Sequence, residues 1–386
     1  MPKKQFIFIL VFNVFLVFLW WIIVWGINNH TISSLGLSIE STMWTTVKDI
    51  KQANFLGLQS HLIDMLATAK QSVVSVVISK DIKVYIDDPT QLYGPWNIKE
   101  QTTTLWWWSG ILVSKKWYIL TNKHVVQDTN AKYAVVLSDG KIYNVDKVWF
   151  DSVLDIAILK IVDTDWNIPE GLIPTNFLPL ATEISVGQFV FAIGNTIAKY
   201  PNTVTMWILW GKNKSLTING NNLYIGLYQT DAQSNPGNSG GPLIDINGNT
   251  LWIVTAISEG EWISFALPIS QEFIENTITS IETFGKITRP IMGIQYLEIT
   301  PTIKKEKNLS IDAGIYLTDV LSDLPAWEAW LKTGDSILSV NWTPITRNIP
   351  FLYQLYTHIP WNTIELEVVR EGKTTKIPVL LGWNTQ

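Results

Sequence analysis

The sequence predicts a chain dominated by β-structure, in two folded parts behind an apolar N-terminal segment. Three observations predict it. From residue 111 onward, short apolar runs recur at regular spacing with turn residues such as Ser138-Asp139-Gly140 between them, the pattern of an antiparallel barrel or sandwich. A second series of such runs begins at Val186, after a connecting stretch marked by Pro169, Pro174 and Pro179. Near the C-terminus, Ile364-Glu-Leu-Glu-Val-Val-Arg370 alternates apolar and polar residues, as a half-buried strand does.

Taken in order, the chain opens on Phe6–Ile27, an apolar run broken only by Asn13. At about 1.5 Å per residue this run reaches roughly 33 Å, against a bilayer core of about 30 Å. Lys3 and Lys4 precede it, so residues 1–28 are expected to form a single-pass anchor with a cytoplasmic N-terminus and the remainder across the membrane. A cleaved signal peptide is the alternative, but the run is long and no Ala-x-Ala site follows. Residues 29–60 are polar and mixed, a spacer. Leu58, Leu62, Ile63 and Leu66 have the spacing of a short helix, and Val73–Ile78 starts the first strand. Residues 81–104, with Pro89, Gly94 and Pro95, read as an exposed loop. Strands are expected at 111–113, 117–120, 133–137, 142–150 and 155–161, then at 186–194, 204–209 and 223–229. A helix near 270–281 ends the first domain (61–284), and a second domain (285–386) follows. There a helix over 326–331 is expected ahead of a hairpin in Thr333–Asn341.

Composition narrows the function. The 386 residues allow two or three domains with substantial cores. A net charge of −5 without a basic cluster argues against nucleic-acid binding. With no cysteine there is neither a disulfide framework nor a thiolate metal site.

The chemistry concentrates in Asp231-Ala-Gln-Ser-Asn-Pro-Gly-Asn-Ser-Gly-Gly-Pro-Leu243. A serine hydroxyl attacks only if a base takes its proton and donors receive the oxyanion. Gly237 lets the backbone N–H groups of residues 237 and 239 converge, and Gly240-Gly241 keep side chains out of a substrate's path. A base stands in Tyr118-Ile-Leu-Thr-Asn-Lys-His-Val-Val126, where His124 follows the end of an apolar strand. An orienting acid stands in Leu154-Asp-Ile-Ala157, with Asp155 at the head of an apolar run. The order His124, Asp155, Ser239 is that of the chymotrypsin-type double β-barrel proteases.

These segments, with Gln229-Thr-Asp-Ala232, Asn235–Pro242 and Ile263-Ser-Phe-Ala-Leu-Pro268, resemble the HtrA/Deg family over roughly residues 65–382. The resemblance implies a chymotrypsin-like double β-barrel domain, a PDZ domain and one preceding transmembrane helix. It gives His124 as general base, Asp155 as its orienter and Ser239 as nucleophile, with Gly237, Asn238 and Ser239 around the oxyanion. It implies no cofactor and no metal, and a homotrimer. The strand holding Thr255, Ala256 and Ile257 is expected beside the substrate backbone. Gln233 stands where Lys/Arg-specific relatives have an acid, so a small or medium apolar side chain is expected before the cut. Asn238 replaces the aspartate that relatives matured by N-terminal cleavage use, so no zymogen cut is expected. Ile291, Met292, Gly293 and Ile294 match the loop that captures the carboxyl termini of peptides. Misfolded proteins and C-terminal peptides are the partners implied. A non-proteolytic scaffold, or a signalling protease with one membrane-protein target, are the alternatives.

One compositional feature cuts across all of this. There are 20 tryptophans against 23 glycines, and many stand where turns ask for glycine. Asn341-Trp342 replaces the Asn-Gly of a type I′ hairpin, Pro360-Trp361 the Pro-Gly of a type II turn, and Lys116-Trp117 precedes a strand likewise. A non-glycine residue in the left-handed region costs about 1–2 kcal/mol. UGA codons that the source organism reads as glycine, translated here as tryptophan, would produce this pattern. A protein rich in tryptophan for surface binding is the rival.

Overall fold

A computed structural model describes residues 56–86, 97–162, 173–194, 203–218, 222–230, 238–257 and 264–383. The expected anchor at Phe6–Ile27 lies outside them, and among the described residues no helix is long and apolar enough to cross a membrane. The described residues from 65 onward belong to one compact unit, which holds all strands described. Residues 56–69 are helical, as their apolar spacing predicts.

Two closed barrels follow. The first contains β1 (Val73–Ile86), β2 (Asn97–Leu112), β3 (Tyr118–Thr121), β4 (Lys132–Val136), β5 (Ile142–Phe150) and β6 (Ala157–Val162), ordered β1-β2-β3-β6-β5-β4. The second contains β7 (Phe189–Gly194), β8 (Thr203–Ile218), β9 (Asn222–Thr230), β10 (Pro242–Ile244), β11 (Thr250–Ile257) and β12 (Ser264–Pro268). Its neighbours run β7-β8-β9-β12-β11-β10, the same circuit repeated. Val74, Val76, Leu112, Ile119, Leu159 and Ile161 fill the first interior. Val190, Leu209, Tyr228, Leu243, Trp252 and Val254 fill the second, with the Tyr228 and Trp252 rings stacked at 4.4 Å. β3 is buried on both faces, because Ile119 points into its own barrel while Tyr118 and Leu120 join the core that continues to Phe273. That is why its residues read as an unbroken apolar run rather than an alternation.

One expectation fails. Residues 81–104 are not a loop throughout: β1 and β2 pair continuously from Val73↔Ile111 to Ile86↔Asn97 with one bulge after Ile78. Proline and glycine punctuate 89–95, but β-branched and aromatic residues (Ile82, Val84, Tyr85, Ile86, Ile98, Thr102) flank them and extend the hairpin.

Helix Gln271–Phe284 closes the barrel pair. The Ser270 hydroxyl accepts from the Phe273 N–H at its start, and Gly285 at φ 71° ends it. The C-terminal domain begins with β13 (Pro290–Ile291), which pairs with the last strand, β20 (Gly382–Trp383). Its main sheet runs β14 (Ile294–Glu298), β15 (Ile315–Val320), β16 (Ser336–Val340), β18 (Thr363–Arg370) and β19 (Lys373–Leu380), with β17 (Thr343–Pro344) paired to β16. The helix expected over 326–331 is a single turn, Pro325–Glu328.

The turns expected to want glycine do so. Trp117 (φ 73°), Trp342 (φ 69°) and Trp361 (φ 66°) all occupy the left-handed region, and Trp330 (φ 61°) joins them.

Candidate active site

The candidate base and its candidate orienter sit just beyond one ladder. β3 pairs with β6 so that Thr121 faces Ala157. Beyond Thr121 the chain stays extended at Asn122 and turns through one 3-10 turn, Lys123–Val125, which carries His124. Two residues before Ala157 stands Asp155, 9% exposed. Its Oδ2 lies 2.7 Å from His124 Nδ1, and its Oδ1 accepts the His124 backbone N–H at 3.0 Å. Nδ1 therefore holds the proton in the neutral ring and Nε2 keeps its lone pair, the tautomer a general base requires.

A second layer holds the carboxylate. Thr255 Oγ1, from β11 of the other barrel, donates to Asp155 Oδ2 at 2.7 Å. Asn122 Nδ2 donates to both the Asp155 carbonyl (3.1 Å) and Thr255 Oγ1 (2.9 Å). Asn122 Nδ2 and Thr255 Oγ1 both direct their hydrogen bonds toward Asp155, so the imidazole is aimed rather than merely near. Asn122 was legible only as a strand break, and Thr255 only as part of a substrate strand; the Thr255 hydroxyl is committed to the carboxylate.

Ser239 (6% exposed) sits against the first barrel. Its carbonyl accepts the Ser109 N–H at 3.1 Å, and Thr121 Oγ1 donates to the Ser109 carbonyl at 2.8 Å. Gly240 has φ 85°, and a Cβ there would stand 2.1 Å from the Ser109 oxygen and 2.4 Å from Thr121 Oγ1. Only glycine permits that approach. Gly240 N–H also donates to the Val254 carbonyl, and Val254 N–H to that of Gly241, both at 3.0 Å. His124 meets the same stretch of β2, for its ring lies edge-on to Trp108, the neighbour of Ser109, at 5.9 Å. β3, which leads to His124, and the turn holding Ser239 thus share Ser109 as their common seat. Ser109, Thr121 and Trp108 were not singled out by sequence reasoning as site residues, because their part is set by contacts between distant strands.

The remaining candidates divide. Gly237 and Gln233 lie outside the described residues. Asn238 is buried beside Ser239, and its carbonyl accepts the Gly241 N–H at 2.9 Å. Ala256 and Ile257 continue β11, opposite Phe265 and Ser264. In the C-terminal domain Ile291 belongs to β13 and Ile294 opens β14. Between them Met292 buries its side chain and offers its carbonyl to the Ala326 N–H (2.8 Å), while the Gly293 carbonyl accepts from Leu321 (2.9 Å).

Comparison with known proteins agrees with this architecture. Residues 108–251 match the trypsin-like peptidase domain and residues 290–381 the PDZ domain. A probable periplasmic serine endoprotease, DegP-like, of Pseudomonas savastanoi pv. phaseolicola is 34% identical over 278 residues, covering 71% of this chain and 55% of that relative. The chain thus spans about half the length of such curated relatives. The serine protease Do-like HtrA of Lactococcus lactis subsp. lactis is 31% identical over 297 residues, covering 72% of this chain and 71% of the relative. Among solved structures, the HtrA-type protease AlgW with a decapeptide superposes with a TM-score of 0.58 at 27% identity, covering 84% of this chain and 99% of that one. With both domains matched in order and a relative above 30% identity aligned over most of its length, the chain belongs to the HtrA family of trypsin-like serine proteases carrying a PDZ domain.

Proposed function

We propose that this chain is a serine endopeptidase that cuts unfolded polypeptides through an acyl-enzyme. The observation that carries the reading is the His124 imidazole seated on the Asp155 carboxylate, itself held by Thr255 from the opposite barrel. His124 Nε2 removes the Ser239 hydroxyl proton as Oγ attacks the peptide carbonyl. The N–H groups of Gly237 and Ser239 receive the oxyanion of the tetrahedral intermediate. His124 then hands its proton to the departing amine, and water, activated by the same imidazole, releases the acid. Asp155 keeps its charge and stabilises the imidazolium.

The remaining parts of the reading follow family likeness. The PDZ domain takes C-terminal peptides through the loop Ile291–Ile294, in keeping with the peptide-bound state of the AlgW relative. The apolar run Phe6–Ile27 anchors the chain, and the catalytic domain acts outside the cytoplasm, as the relatives described as periplasmic do. A homotrimer is the assembly the resemblance implies. A fluorophosphonate probe tests the core of this: labelling lost in Ser239→Ala is expected. Absence of labelling with or without C-terminal peptides would sink it in favour of a scaffold. Digestion of a permanently unfolded protein, with and without such peptides, tests the role of the PDZ domain.

A further inference from the structure

We propose that Arg289 is a positioning residue for the reaction, tying the segment that enters the PDZ domain to the turn that presents Asp155. The proposal rests on reading Asp155 as the orienter of His124. Asp151 opens that turn and is fully buried; its Oδ1 accepts the N–H groups of Val153 (2.8 Å) and Leu154 (3.0 Å), folding the backbone that delivers Asp155. Its N–H donates to the Ile156 carbonyl at 3.0 Å, closing the turn. Lys123, next to His124, donates from Nζ to the Asp151 carbonyl at 3.0 Å. The Asp151 carboxylate is therefore the framework of the turn, and its charge needs a counter-ion at full burial.

Arg289 supplies it from the interdomain linker. Nε donates to Asp151 Oδ2 at 2.7 Å. Nη2 stands equally close to the same oxygen, off the hydrogen-bonding direction, so its part is electrostatic. The guanidinium lies 4.2 Å above the Phe273 ring of the closing helix and 5.6 Å from the Tyr356 ring of the PDZ domain. Trp149, two residues before Asp151, donates its indole N–H to the Gly285 carbonyl at 2.8 Å, so the linker is stapled to this edge of the barrel twice. Any rearrangement of the PDZ domain that withdraws Arg289 leaves the Asp151 carboxylate buried without its counter-ion, and the turn that carries Asp155 is destabilised with it.

The molecule provides its own control. Asp335 and Arg370 form a second pair, with Asp335 1% exposed, wholly inside the PDZ domain. In the full chain, Arg289→Met is expected to lower kcat for an unfolded substrate at least tenfold with KM within twofold, and to slow fluorophosphonate labelling of Ser239 equally. Arg370→Met is expected to lower the melting midpoint with kcat of the folded protein unchanged. Adding Asp151→Asn to Arg289→Met removes the stranded charge and should restore part of kcat. Wild-type kcat in Arg289→Met, or a loss no larger than that in Arg370→Met, overturns the proposal. A wild-type protein inert to the probe sinks instead the serine-protease reading beneath it.

Independently, four turns carry tryptophan where their geometry selects glycine, and we infer that the polypeptide made by its own cell has glycine at 117, 330, 342 and 361. Asn341 (φ 45°) and Trp342 (φ 69°) are both left-handed between the paired Val340 and Thr343, a type I′ turn. Pro360-Trp361 is a type II turn closed by the Asn362 N–H on the Ile359 carbonyl at 3.2 Å. At Trp330 the N–H bonds of Leu331 to Ala326 and of Trp330 to Trp327 form a Schellman end, whose left-handed residue is usually glycine. Trp117 ends the turn closed on the Ser114 carbonyl. Among the described residues, the other left-handed non-glycine residues are Asn308, Asp323, Asn341 and Glu371, of which three are the short polar types that tolerate it. Trp330, Trp342 and Trp361 are moreover at least half exposed. The coding sequence and peptide mass spectra of the protein from its source decide this. UGA codons and glycine masses at the four positions are expected; UGG codons or tryptophan masses there refute it.

Discussion

The two barrels share one circuit of strands and contribute to the site in different ways. The first holds the candidate base and orienter just beyond the end of one ladder: Thr121 faces Ala157, and past that pair His124 Nδ1 lies 2.7 Å from Asp155 Oδ2. The second offers Ser239 ahead of β10 and Thr255 within β11, and neither meets its counterpart until the barrels pack. Pairing register within one sheet therefore sets half of the constellation, and packing of one sheet on another sets the rest. Polar contacts across the seam include Ser109 to Ser239, Thr255 to Asp155 and Asn122 to Thr255.

Breaking the link between halves should have the largest effect. Ser239→Ala and His124→Ala are each expected to lower kcat by about 10⁶-fold, and the double variant no further, because the groups act as one unit. A double variant showing the product of the two losses would mean that the barrels act separately. Asp155→Asn, which leaves the first barrel intact but favours the wrong tautomer, should cost about 10⁴-fold in kcat. Thr255→Val then isolates the contribution of the second barrel to the orienter. A buried hydrogen bond to a charged group is worth about 1.5–3 kcal/mol, so a loss of roughly 10- to 100-fold is expected. If Thr255→Val matches wild type in peptide hydrolysis, the cross-barrel bond does not steer the imidazole.

Core truncation separates architecture from chemistry. Leu159→Ala in the first barrel and Leu209→Ala in the second, both fully buried, should each cost about 2–5 kcal/mol in denaturant unfolding. The folded fraction of either should retain its kcat; a selective loss in the first would show that its packing, and not only its register, holds His124 and Asp155. The smallest effect lies outside both barrels. Burial pushes the His358 imidazole below its usual 6.5. Below that pH the unfolded chain binds the proton more readily, so this residue's contribution to stability is intact above it and lost as pH falls through it. His358→Gln should flatten the acid limb of the stability curve of the PDZ domain and leave the barrels unaffected.

Much of the site was legible because its chemistry needs residue types in fixed local company. His124 closes an apolar strand, Asp155 opens another, and Ser239 lies among glycines that its turn requires. His124 and Asp155 were recognisable before the contact between them was known. Thr255 was legible as a strand residue, but the bond of its hydroxyl to Asp155 was not, since nothing local says which way a hydroxyl in β11 faces. Ser109 carried no signal and Asn122 none beyond a strand break, because a backbone N–H and an amide become site components only when another strand is brought opposite. The β1–β2 extension was missed for a related reason. Proline and glycine at 89–95 act on the chain locally, whereas the strands on either side are stabilised by each other across the hairpin.

The sequence by itself determined most of the strands, the chain order of His124, Asp155 and Ser239, and the turns at which tryptophan is out of place. Those follow from side-chain period, turn chemistry and the steric cost of positive φ, which act over a few residues. Only the tertiary structure decided that Thr255 braces Asp155 across the seam, that Ser109 seats Ser239, and that Arg289 neutralises Asp151 from the linker. Each of these is a polar contact between residues 100 to 138 positions apart, and its strength comes from burial that no local stretch can create.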